Sequence, residues 1–278
     1  MQKTSYDYES VKKLCDFWKK ENFHRDTKIH NGDYDYLKEK NLLVENCKSF
    51  EDYVEKYLNE PADKKFHQNL IPCPYVGDLK NSKIYILSLN PGFGNDYYFE
   101  RDSEFRSALE GNLSQKFYDN DYPFLYLNPR FLGTGGGSYW LKKLSPVINH
   151  LKTKMKFTDA LSFLAKNICL LEIVPYHSKS FGFSKYIKLP SVNKMISFLK
   201  NYVIPKAEKN DAALIVLRKG KELKDLGVLP KKTTRNVLIY PPNYSQNPCL
   251  SIKAKNKNEA KYENVEGGRF ILEFLKVI

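Results

Sequence analysis

Residues 83–99 of this 278-residue chain read KIYILSLNPGFGNDYYF, and their chemistry changes within a few positions. Ile84, Ile86, Leu87 and Leu89 form a short apolar run, led in by Asn81 and Ser82 and closed by Asn90, Pro91 and Gly92. Such a run with polar ends is the pattern of a strand buried on both faces of a parallel sheet. Ligands in open α/β sheets bind just beyond the carboxyl ends of such strands. There Pro91, Gly92 and Gly94 let backbone amides approach a ligand closely. Phe93, Tyr97, Tyr98 and Phe99 add aromatic faces. Taken alone, Asn-Pro-Gly reads as an ordinary turn; what surrounds it gives it more meaning.

Downstream, three further apolar runs qualify as strands: residues 168–174 (ICLLEIV), 212–217 and 236–240. Helical patterns separate them, over about 103–113, from the glycine cluster 133–137 to about 150, over 158–166 and over 191–206, with a short one at 220–226 and a last one at 266–274. Residues 122–127 read as extended. Four strands alternating with helices predict an α/β fold, a three-layer α/β/α sandwich around a central four-stranded, mainly parallel sheet. Upstream, residues 6–20 and 48–58 carry helical apolar spacing, residues 21–40 show no clear period, and 74–78 read as a loop. The expected division is an N-terminal helical extension over 1–73 packed on a domain over 74–278.

The formal net charge is +13, which favours polyanionic partners, nucleic acid first. Lysine richness on a solvated surface explains such a charge equally well. Five scattered cysteines without CxxC spacing imply reduced thiols and no zinc or iron–sulfur site, so neither metal nor cofactor is expected. No run is long and apolar enough to span a bilayer, and the expected place of work is the cytoplasm.

A strand ending in LNPG at residues 89–92 resembles the first active-site motif of the uracil-DNA glycosylase superfamily. The likeness is to its mismatch-specific branch, where Asn stands in place of a water-activating Asp. Residues 247–251, NPCLS, resemble that superfamily's second motif, a His-Pro-Ser or Asn-Pro-Ser turn followed by Leu-Ser, with one residue fewer before the leucine and Cys for Ser. Residues 137–144 resemble its glycine and aromatic-Trp pair at the head of a helix. The resemblance covers residues 74–274 in short motifs.

It implies a monofunctional DNA glycosylase acting on double-stranded DNA from the minor groove, with the target base flipped out. Asn90 would orient the attacking water, Asn247 would hold the flipped nucleotide, and Leu250 would fill the gap left by the base. Pro91, Gly92, Phe93 and Tyr98 would line the base pocket, Phe93 by stacking, and His177 could donate to base or phosphate. Gly137, Ser138, Ser251, Lys253 and Lys255 would contact DNA. Glu172 falls where an Asn reads uracil in the uracil-specific branch. Read as an ionised acceptor, it disfavours uracil and suits the amine of a cytosine-type or otherwise modified base. Two other readings stay open: a non-catalytic member that senses modified bases, and an interaction protein that recruits partners through its N-terminal helices.

Overall fold

The computed structural model describes residues 8–47, 49–57, 63–94, 103–230, 234–240, 250 and 267–278. Ahead of the sheet come α1 (Tyr8–Phe17), α2 (Asn31–Glu39) and α3 (Phe50–Lys56). The four predicted apolar runs are all strands, and a two-residue strand precedes them: β1 (Tyr75–Val76), β2 (Ile84–Ser88), β3 (Ile168–Glu172), β4 (Ala213–Val216) and β5 (Val237–Ile239). The sheet therefore has five strands where four were expected, in the order β1-β3-β2-β4-β5. β2 to β5 run parallel, and β1 lies antiparallel against β3. β3 and β4 are buried at every position, and so is β2 except at Ser88, which is why their sequences are nearly unbroken apolar runs.

β2 sits between β3 and β4, so the chain leaves it on one side and later returns on the other. Right-handed crossovers place the two sets of connecting helices on opposite faces of the sheet. α4 (Ser103–Leu113), α5 (Gly135–Leu151) and α6 (Phe157–Asn167) lie between β2 and β3. α7 (Pro190–Phe198) and α8 (Ile204–Glu208) follow β3, α9 (Gly220–Asp225) follows β4, and α10 (Gly267–Phe274) comes last. α5 packs against α6 and α10, whereas α7 packs against α1 and α2. The result is a layered α/β fold with β2 as its topological switch point.

Three local differences from the sequence expectations have physical causes. Residues 122–127 are not extended; Leu125–Leu127 is a 3-10 turn whose three side chains are all buried. β1 was read as loop, because two residues carry no period. It is held by β3 on one side and on the other by Asn112 of α4, whose Nδ2 donates to Tyr75 O (2.7 Å) and whose Oδ1 accepts from Gly77 N (2.9 Å). That side-chain amide completes the pairing an edge strand otherwise lacks. The helix expected over 191–206 is interrupted by a π turn at Leu199–Val203. Pro205 has no N–H to close an α-helical bond, and its ring crowds the carbonyl four residues back, so the turn widens.

The N-terminal segment shares the core. Leu14, Trp18, Ile29, Leu37 and Val44 are buried in the same apolar cluster as the sheet. Asp33 of α2 is wholly buried, with one carboxyl oxygen accepting from Tyr176 OH (2.6 Å) and the other from Ser191 N (3.1 Å). At the opposite end of the sheet from the carboxyl ends, Lys206 Nζ donates to the carbonyls of Lys80 and Ser82 and to Tyr85 OH. Its burial lowers its pKa to about 8.

Candidate functional site

A cavity of about 640 Å³ opens beyond the carboxyl ends of β2, β3 and β4. Its walls include Ser88, Asn90, Pro91, Gly92, Phe93 and Gly94 from β2 and the loop after it, with Glu172 from the end of β3. The sheet register explains this convergence: Ser88 pairs with Glu172 across β2 and β3, and the ladder continues past the strand ends through Ile173 N to Ser88 O and Val174 N to Leu89 O (2.8 Å). Asn90 and Glu172 thus reach one space because their strands are adjacent and parallel.

The Asn90 amide is oriented by its neighbours. Nδ2 donates to Pro91 O (3.0 Å), Tyr176 O (3.4 Å) and Ser178 Oγ (2.9 Å). Backbone carbonyls only accept, so the nitrogen has to be the atom on that side, and Oδ1 is left as the acceptor a bound water can use. The loop carrying Asn90 is itself tied down. Gly92 and Ser178 form an isolated parallel bridge, and Ser178 N donates to Pro91 O. Phe93 stacks on His67 with ring centroids 4.0 Å apart and planes 11° apart.

His177 does not face the cavity. It is fully buried behind the loop, with Nδ1 2.8 Å from Gly92 O and Nε2 3.1 Å from Ile71 O, so its place is to set the height of the Pro91–Gly92 turn. This corrects the expectation that it donates to base or phosphate. Burial lowers the pKa of His67, beside it, to about 3.

Glu172 departs from its expected state. It is 4% exposed, and its Oε2 has no hydrogen-bond partner among the described residues. Burial pushes the carboxyl well above the usual carboxylate range, against the smaller opposing pulls of the Ser88 hydroxyl bonded to it and of the Arg218 cation. Burial therefore favours the protonated form, which can donate as well as accept, over the ionised acceptor expected from the sequence.

The glycine-rich head of α5 contributes differently than expected. Thr134 caps the helix, accepting from Gly137 N at 3.0 Å. Gly137 is buried where any Cβ would strike the Phe131 carbonyl and Leu132, so close packing accounts for it rather than DNA contact. Ser138 is exposed, with Oγ donating to Leu132 O (2.9 Å), and is not on the cavity wall. Gly135 and Gly136 are on that wall, and Gly136 lies flat against the Tyr126 ring. Leu250 is wholly buried and packs with Tyr240 against Gly267 of α10, as a core residue and not an exposed wedge. Tyr98, Asn247, Ser251, Lys253 and Lys255 lie outside the described residues.

Sequence reasoning passed over Tyr126 and Arg218 and noted Tyr139 and Trp140 only as an aromatic pair at the head of a helix; all four are on the cavity wall. Arg218 could have been found, since it stands just past the carboxyl end of β4, the position where such folds bind ligands. Tyr126 carries no such signal; its turn reaches the site only through packing against α5. Among the described residues, no group of His, Cys, Asp and Glu could hold a metal ion, and no helix is long and apolar enough to cross a membrane. No protein-family model matches the chain, nor does any curated protein or solved structure.

Proposed function

We propose that the chain is a DNA glycosylase of the uracil-DNA glycosylase type, hydrolysing the N-glycosidic bond of a flipped-out modified or mismatched base. The observation that carries the reading is the anchored Asn90 amide, its Oδ1 left to accept at a cavity that opens from the switch-point strand. The volume lies within the range of small-molecule sites and leaves room for a base bearing a substituent. Aromatic rings of Phe93, Tyr126, Tyr139 and Trp140 offer faces for it. The net charge of +13 suits a phosphate backbone.

In this reading the base leaves with the electron pair of the C1′–N bond, through an oxocarbenium-like sugar. A water held by Asn90 Oδ1 forms the new C1′–O bond and releases its proton to solvent. Asn90 orients and does not take the proton, so turnover depends on a base that departs readily. Glu172 is the sole acidic side chain among the described residues of the wall. Burial disfavours its ionised form and so counts against a general-base role, and this favours a second reading in which the site senses a modified base without excising it.

Release of free base, measured by mass spectrometry, separates the two. DNAs carrying uracil, hypoxanthine, mismatched thymine or hydroxymethylated cytosine are incubated with the protein and with Asn90→Ala. A base released by the wild type and lost in the variant supports the glycosylase. Absence of release from every DNA, together with salt-sensitive binding, overturns it in favour of the sensor.

A further inference from the structure

We propose that Glu172 is the specificity-determining residue of this cavity and that its Oε2 donates a hydrogen bond to a carbonyl oxygen on the bound base. The inference rests on the base-binding reading above and adds which edge of the base is selected.

The argument is geometric. Oε2 is buried, has no partner among the described residues, and belongs to a side chain on the cavity wall. A buried polar atom left unpaired is costly, and a ligand that supplies the missing partner recovers that cost on binding. Ser88, paired with Glu172 in the sheet register, is the carboxyl's hydrogen-bonding neighbour and pulls its pKa down less than burial raises it. Burial favours the protonated carboxyl, and the unpartnered Oε2 is the oxygen left to donate to a ligand.

The groups around the carboxyl keep it in that state. From the segment before β1 comes the Cys73 thiol, which burial raises to about 12. From α5 comes Tyr139, likewise raised to about 12, so both stay neutral at ordinary pH. From the end of β4 comes Arg218, the one cation among the described residues that pulls the carboxyl toward ionisation, and burial outweighs it. Because ionisation removes the donor, carbonyl selection weakens as pH rises through the raised Glu172 pKa.

The test reads binding, not catalysis. Trp140 is on the cavity wall and is one of two tryptophans in the chain, so its emission reports occupancy. Wild type, Glu172→Gln and Glu172→Ala are titrated with free uracil against cytosine and with hypoxanthine against adenine, pairs differing by a carbonyl in place of an amine. Thermal melts confirm that each variant folds. Wild type at pH 6 is expected to favour the carbonyl member of each pair by about tenfold or more. Glu172→Gln keeps a donor at that position and should hold the same preference at every pH tested, while the preference of the wild type weakens as pH rises. Glu172→Ala should show little preference.

Preference of the wild type for the amine members overturns the proposal. So does an inverted preference in Glu172→Gln, or binding of none of the four bases. If the carbonyl preference holds while no DNA yields free base, the glycosylase reading alone fails. If base is released but amines are preferred, the Glu172 assignment alone fails.

Discussion

Asn90 is held by acceptors, and that bears on why an aspartate is absent there. In Asn90→Asp a carboxylate oxygen would replace Nδ2 and face the carbonyls of Pro91 and Tyr176. Two favourable bonds become repulsions, so Asn90→Asp should lose about 1–3 kcal/mol of stability in denaturant titrations and gain no rate in base release. Asn90→Ala should fold and lose about 100-fold or more in single-turnover release, because the water is no longer oriented. Glu172 gives a pH signature of its own. Its folded pKa is raised, so its contribution to stability is fully present below the unfolded carboxylate value and is lost as pH rises toward the folded one. Glu172→Gln does not titrate, and its melting temperature relative to wild type should climb with pH from about 5 upward, by up to ~1.4 kcal/mol per pH unit in free energy. The position of Glu172 at a strand end was legible in the sequence. Its raised pKa was not, because the burial behind it arises only when the neighbouring strands β1 and β2 assemble beside β3.

Helices and strands differed in how openly their residues announced them. β2 to β5 were readable because burial on both faces demands nearly continuous apolar residues. α2 was not: NGDYDYLKE buries only Asp33 and Leu37, and its start depends on the His30 ring accepting from Gly32 N. A helix fixed by a cap and by one buried carboxyl has no apolar stripe to read. α5 shows a compensation that is local and testable. Pro146 sits inside it and cannot donate to the carbonyl of Lys142, but the hydroxyl of Ser145 does so at 2.8 Å. Ser145→Ala should therefore destabilise the protein by about 1 kcal/mol in chemical denaturation, more than a typical exposed helix position.

At the scale of the whole molecule, the helical extension is part of the core and not an appendage. α1 and α2 cover α7, and Trp18 meets the ring of Tyr176 edge-on at 6.3 Å. A chain reduced to residues 74–278 should lose cooperative unfolding and near-ultraviolet circular dichroism, since the apolar face of α7 and the buried Tyr176 would meet water. Retention of a sharp transition in that fragment would show the extension to be dispensable. The dependence also sets an order of events. His30 N donates to the hydroxyl of Tyr176, 146 positions further along, and Asp33 accepts from Ser191, 158 positions along. During synthesis, α1 and α2 leave the ribosome long before α7, the surface they rest on. Their apolar faces stay exposed until α7 has been made, so their docking is a late step of maturation.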